Sequence, residues 1–195
     1  MGDLYETFIG ASIRGSEGQF FTPENAGRWL VDAIAPSAGE RIINPACGAG
    51  GFLLWAAQSV FGGSRGSPYI YGIEKDEYLA SLARARMAIR GVDATVHCGN
   101  SLSFEADGDA LVTADLLESF DVVVTNPPFG KNINSVTPIV QRTFQLGYSW
   151  QPKKDGRYAR TESLSNKAPP QVLFLERILS FCGQEGARVS LFPKA

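Results

Sequence analysis

Short apolar runs alternating with helix-like stretches constrain this chain more than anything else in it. Arg41-Ile42-Ile43, Tyr69 to Ile73, Thr95 to Cys98, Phe120 to Thr125 and Arg188 to Leu191 are each a few residues long and rich in β-branched or aromatic side chains. The first helix is expected to start near Pro23, capped by Thr22, with Glu24 at the positive end of its dipole. Trp29, Leu30, Ala33 and Ile34 would form its apolar face and Pro36 its stop. Further helices are expected over Phe52 to Val60, over 76–90 with Leu79, Leu82, Ala83, Ala85 and Ile89 inward and Gly91 at the end, and over Gln171 to Phe181. Strands that are apolar on both faces belong to parallel sheets covered by helices on both sides. The expected fold class is therefore α/β, a doubly wound, mostly parallel sheet in one domain over residues 1–195.

In open sheets of this kind ligands bind beyond the carboxyl ends of the strands. The polar and glycine-rich positions fall there: Asn44 after the first strand, Glu74 after the second, Asn100 after the third and Asn126 after the fourth. Composition removes other classes. Cys47, Cys98 and Cys182 are odd in number and widely spaced, which argues against a disulfide framework and a zinc site. His97 is the only histidine and reads as structural, so no metal is expected. No apolar run reaches the roughly 18 residues of a membrane span and no signal-peptide pattern opens the chain, so no membrane partner and a cytoplasmic location are the default expectation. The net charge of −2 announces no nucleic-acid partner. Residues 131–168, however, hold seven basic residues against two acidic ones. Such a segment can steer toward phosphates, but on charge alone a solvated loop is the favoured reading.

The turn Asn44-Pro45-Ala46-Cys47-Gly48-Ala49-Gly50-Gly51-Phe52 joins a strand to a helix, and its glycines let a ligand approach the backbone. A dinucleotide fingerprint would need glycine where Leu53 stands, and no G-K-[S/T] phosphate loop occurs. Glu74, 24 residues beyond Gly50, is placed to accept hydrogen bonds from ribose hydroxyls; the competing reading is a helix-start charge ahead of Asp76 and Glu77. Asn100-Ser101 could offer an amide to a purine edge.

Taken in order, Gln19-Phe20-Phe21-Thr22-Pro23, Asn44 to Leu53, Gly72-Ile73-Glu74, Gly99-Asn100-Ser101-Leu102 and Asn126-Pro127-Pro128-Phe129-Gly130 resemble the motifs of N6-adenine DNA methyltransferases. They are similar above all to the modification subunits of type I restriction-modification systems, over about Gly18 to Pro193. The resemblance implies a Rossmann-like class I methyltransferase fold and S-adenosylmethionine as cofactor. It implies a cofactor site made of Gln19, Phe20, Phe21, Thr22 and Pro23, the turn residues Asn44, Pro45, Ala46, Cys47, Gly48, Ala49, Gly50 and Gly51, then Glu74, and Asn100, Ser101 and Leu102. Phe20, Thr22 and Pro23 would help hold the methionine end, Glu74 the ribose, and residues 100 to 102 the adenine. Implied partners are double-stranded DNA, a specificity subunit and, in the wider system, a restriction subunit. The family usually has an acidic residue before the turn proline; Asn44 lacks its charge, and weaker cofactor binding is expected. Relatives carry further strands and domains, so this chain is expected to be a fragment or to be completed by a partner.

Asn126-Pro127-Pro128-Phe129 would be the catalytic segment. Two prolines directly after a buried strand make a stiff exit without N–H donors. The Asn126 amide oxygen and the Pro127 carbonyl can accept both N–H bonds of an exocyclic amine, holding its lone pair toward a methyl donor. Phe129 would stack on a base flipped out of the duplex, an interaction worth roughly 1–3 kcal/mol. A proline-terminated strand with a core phenylalanine is the bland alternative. Residues 131–168 are expected to form a long irregular DNA- or partner-facing flap, with a structural lid as the alternative. Methylation of protein glutamine or of RNA uses the same amine chemistry, and an inactive fragment that binds cofactor or a partner is the non-enzymatic reading.

Overall fold

The computed structural model describes residues 22–61, 68–103, 114–127, 136–166, 168–183 and 187–191. In chain order its elements are α1 (Glu24–Ile34), β1 (Arg41–Asn44), α2 (Gly51–Phe61), β2 (Tyr69–Glu74), α3 (Glu77–Ile89), β3 (Ala94–Cys98), β4 (Val122–Thr125), α4 (Pro138–Arg142), β5 (Tyr148–Pro152), β6 (Tyr158–Leu164), α5 (Pro170–Phe181) and β7 (Arg188–Leu191), with a 3-10 turn at Ala114–Leu116. Five strands form one parallel sheet in the order β3-β2-β1-β4-β7. The chain walks outward from β1 to β3 and then crosses back to the other side of β1. The order therefore reverses between β1 and β4, and ligands bind at such a switch point.

Both faces of the sheet are covered, as the apolar strands require. On one face Ile42, Ile70, Val122 and Val124 pack against Val31 of α1, Leu53 and Trp55 of α2, and Ala83 and Met87 of α3. On the other, Ile43, Ile73 and Val123 meet Phe120, Val140, Phe144 and the α5 residues Leu173, Ile178 and Phe181. The sheet is doubly wound.

Several element details differ from expectation. Helix α1 begins at Glu24, Pro23 is its N-cap, and no side chain caps it. Its buried stripe is Gly27 and Val31 with Leu30 and Ile34 half-covered, while Ala33 is exposed and Trp29 is 71% exposed. Gly27 explains the roll: a Cβ there would lie 1.9 Å from the Trp55 ring, so the helix docks through the glycine gap. Helix α3 buries Leu79, Ala80, Ala83 and Met87, not Ala85 or Ile89, which are exposed, and Leu82 is only half-buried. Ala83 and Met87 approach the chain at Gly50, which fixes that face toward the turn. The fourth strand starts at Val122; Phe120 lies before it, fully buried, and stacks edge-on against Tyr71 and Phe181 at 5.2 and 6.0 Å.

The largest difference concerns the segment expected to be irregular. Its described part, 136–166, contains α4 and an antiparallel β5–β6 hairpin that forms a sheet of its own.

Candidate active site

Side chains alternate across a strand, so the residues of the first core face predict where the polar strand ends point. Ile42 and Asn44, Ile70 and Glu74, and Val124 and Asn126 each fall on one side by this alternation, the side that carries α1, α2 and α3. Glu74, Asn44 and Asn126 thus stand at the carboxyl ends of three consecutive strands, on one face, around the switch point. At ordinary strand spacing the outer two strands are roughly 10 Å apart.

The glycine turn is tied into this group. The Asn44 side-chain oxygen accepts from the Ala46 N–H at 3.0 Å, the Cys47 N–H donates to the Ile73 carbonyl at 3.0 Å, and the Gly48 N–H donates to a Glu74 carboxylate oxygen at 2.8 Å. The other Glu74 oxygen accepts from the Asp76 N–H at 2.9 Å. Glu74 therefore does more than start a helix; that role belongs to Asp76, which caps α3 by accepting from the Leu79 N–H. Burial pushes the Glu74 carboxyl above its usual range, and the two backbone N–H bonds pull the other way.

Gly48 has a left-handed φ of +53° that favours glycine, and a Cβ built on it would meet no atom of the other described residues within 4 Å, its chain neighbours aside. The turn thus leaves open space beside the Glu74 carboxylate, which suits close approach of a ligand sugar. Asn44 is fully buried, and its amide nitrogen finds no hydrogen-bond partner among the described residues. A buried donor of this kind is costly unless something accepts from it. Open space, a carboxylate and an unused amide donor together fit a nucleoside carrying an amino-acid tail. Burial and the Glu74 charge push the Cys47 thiol far upward, which disfavours its thiolate.

The Asn126 amide nitrogen donates to the Thr22 hydroxyl at 3.1 Å. That bond joins the first motif to the fourth strand end across 104 residues and leaves the Asn126 oxygen as the acceptor for anything else. Thr22 thus serves Asn126 instead of capping α1, and no local pattern in the sequence signals the pairing. Pro127 is buried directly after Asn126. Pro45, Ala46, Ala49, Gly50 and Gly51 lie in the turn and the first residue of α2, with Pro23 at the head of α1. Gln19, Phe20, Phe21, Pro128 and Phe129 lie outside the described residues.

The third strand end is less open. The Asn100 side-chain oxygen accepts from the Leu102 N–H at 3.0 Å, and Ser101 and Leu102 are buried, leaving Asn100 exposed. The Leu102 carbonyl accepts at 3.3 Å from Arg177, which is only 4% exposed and lies 4.8 Å above the Phe144 ring. Desolvation lowers the Arg177 pKa to about 10, so it stays charged at neutral pH. Arg177 braces the Leu102 turn from α5, a role hidden in the sequence because the residue falls inside an amphipathic helix.

Among the described residues no group of three His, Cys, Asp or Glu could hold a metal ion, and no helix is long and apolar enough to cross a membrane. Among the described residues, the Glu74 carboxylate and the Asn126 amide oxygen are the acceptors that the strand ends bring to this face.

Comparison with known proteins bears on the family and the fold. Residues 1–190 match the N-6 DNA Methylase family. The type I restriction enzyme EcoEI methylase subunit of Escherichia coli is 34% identical over 138 residues, covering 66% of this chain and 27% of that protein. The type II methyltransferase M.VspI of a Vibrio species is 30% identical over 135 residues, covering 68% of this chain and 30% of that one. The chain thus spans about a third or less of the length of these relatives. The type I restriction-modification system methyltransferase subunit from Streptococcus thermophilus superposes with a TM-score of 0.63 at 20% identity, over 97% of this chain and 38% of that one. At that identity the likeness speaks for the fold. With the family match running through nearly the whole sequence, the chain belongs to the N-6 DNA methylase family.

Proposed function

We propose that this chain transfers a methyl group from S-adenosylmethionine to the exocyclic N6 amine of an adenine flipped out of double-stranded DNA, as the catalytic core of a restriction-modification methyltransferase. The observation that carries this reading is the shared face of Glu74, Asn44 and Asn126 at the switch point, with the Asn126 amide turned by Thr22. When bound, S-adenosylmethionine supplies an electrophilic methyl carbon on sulfur.

The chain's own residues do the rest. Glu74 accepts from the ribose hydroxyls beside the open Gly48 position. Asn44, Pro45, Ala46, Cys47, Ala49, Gly50 and Gly51 shape the turn; Gln19, Phe20, Phe21, Thr22 and Pro23 complete the cofactor site, with Phe20, Thr22 and Pro23 helping to hold the methionine end. Asn100, with Ser101 and Leu102, takes the adenine edge. The Asn126 oxygen and the Pro127 carbonyl accept the two N–H bonds of the target amine, so its lone pair faces the methyl carbon. During transfer these two acceptors would stabilise the positive charge growing on the amine nitrogen, and one amine proton would leave to solvent. Pro128 stiffens the corner and Phe129 stacks on the flipped base. A specificity subunit supplies the target sequence, with a restriction subunit as the wider partner.

Incubation with methyl-labelled S-adenosylmethionine and separate DNA, RNA and protein acceptors tests this, with and without a specificity subunit. The expected result is label on DNA recovered as N6-methyladenine. Label on protein glutamine or RNA with unmethylated DNA would retire the proposal, as would cofactor binding without transfer in every assay.

A further inference from the structure

The β5–β6 hairpin serves no part of the methyl-transfer site described above, yet it is firmly built. Its root is clamped from three sides. The Gln141 side-chain amide donates to the Gly147 and Ser165 carbonyls at 2.7 and 2.8 Å. The Glu176 carboxylate of α5 accepts from the Gln145 and Leu146 N–H groups at 2.6 and 2.7 Å. Phe144, just before, is buried in the second core face. Beyond that root the ribbon stands away from the core: most of its residues are exposed. At about 3.4 Å per residue, five strand residues carry the tip roughly 17 Å from the root.

The charge on this ribbon is opposite to that of the chain. Residues 148–164 hold Lys153, Lys154, Arg157 and Arg160 against Asp155 and Glu162, a net of +2, while the whole chain carries −2. The remaining residues therefore carry −4. Lys153 and Lys154 are exposed at the turn, which closes through the left-handed Gly156. The cross-strand pairs Trp150 with Arg160 and Pro152 with Tyr158 put an aromatic and cationic set on one face. There Tyr158 is 66% and Trp150 41% exposed. Arg160 is held over the Tyr148 ring at 4.3 Å, so its position is fixed before any partner arrives.

We propose that the β5–β6 ribbon is an arm that grips the sugar-phosphate backbone of duplex DNA, with Lys153 and Lys154 at its tip on phosphates. A two-stranded ribbon has the dimensions of a DNA groove, and phosphate contacts position a duplex without reading its sequence. The proposal rests on DNA being the substrate and adds which element holds it. The clamped root gives the arm a fixed bearing relative to the corner where the target base must arrive.

The test is fluorescence anisotropy of the 195-residue chain with a labelled mixed-sequence duplex across a range of salt concentrations, comparing wild type with Lys153→Gln/Lys154→Gln. Losing two phosphate contacts should weaken binding roughly tenfold or more near 0.1 M salt and flatten the slope of log affinity against log salt by about 1–2. Calorimetric affinity for S-adenosylmethionine should be unchanged, which reports an intact fold. A second variant, Tyr158→Ala, should weaken duplex binding with the salt slope kept. Equal slopes for wild type and the lysine variant would overturn the arm, as would a wild-type chain that ignores duplex DNA at low salt. The lysine effect without any adenine methylation would count against the transfer reading alone. Methylation with an unaltered slope would count against the arm alone.

Discussion

Two strand pairs in this molecule are of similar length and opposite construction. In β1 and β4 the residues Ile42, Ile43, Val122, Val123 and Val124 are all essentially sealed from solvent. In β5 and β6 the residues mostly face water. Burying an aliphatic side chain contributes about 1.5–3 kcal/mol, so the first pair is held by what lies on either side of it. The second is held by its root, where single hydrogen bonds contribute about 1 kcal/mol each. The contrast assigns different work to the two. A pair locked by burial can hold Asn44 and Asn126 in register to fractions of an ångström, as positioning chemistry needs. A ribbon held at one end can lie along a large partner.

The largest effect that could break this contrast is at Asn126. Asn126→Ala should lower kcat by at least about 10²- to 10³-fold, the usual cost of a lost transition-state hydrogen bond, while the S-adenosylmethionine Kd stays within about threefold. Single-turnover assays and calorimetry separate the two, and parallel losses would make Asn126 merely structural. Next come the strands themselves. Ile43→Ala should cost about 2–5 kcal/mol in urea unfolding, whereas Tyr158→Ala should stay within about 0.5 kcal/mol; comparable losses would erase the distinction. Gln141→Ala should speed amide exchange in β5 and β6 without changing it in β1 and β4. Uniform acceleration would mean that the ribbon and the sheet unfold as one unit.

The smallest expected effect is one of pH. Burial holds the Glu74 carboxyl above its usual range, so the folded chain binds that proton more tightly than the unfolded one. Stability without cofactor therefore falls as pH rises from the ordinary carboxylate range through the raised value. Cofactor affinity runs the other way, because ribose binding needs the carboxylate. Calorimetry should show affinity dropping as the solution is acidified through that window, and Glu74→Gln should bind weakly with a flat profile. A wild-type profile as flat as the variant's would remove Glu74 from the site.

The same contrast explains what could be read from the sequence. The inner strands β1 and β4 were legible because burial on both faces forces β-branched runs, the edge strands β3 and β7 by their shorter apolar runs, and the strand ends followed as Asn44, Glu74, Asn100 and Asn126. The hairpin was not. Its residues alternate no apolar face toward a core, so Trp150 and Tyr158 among lysines and arginines look like a loop. Its fold depends on Gln141 and Glu176, whose partners lie 6 to 31 residues away. Helix faces were read with a rotation error, since neither the Gly27 gap for Trp55 nor the packing of Ala83 and Met87 on Gly50 leaves a mark in hydropathy. The Thr22–Asn126 bond and the Arg177 brace on Leu102 were invisible for a related reason: each is a meeting of distant residues that the topology alone brings about.

The central claim is that the glycine bend and the asparagine corner serve one ligand. A crystal structure with S-adenosylmethionine bound tests it most directly. The account predicts ribose hydroxyls on the Glu74 carboxylate and the sulfur-bound methyl carbon directed to the open side of the Asn126 oxygen. Electron density placing the nucleoside away from Glu74, or its methyl group turned from Asn126, would contradict it.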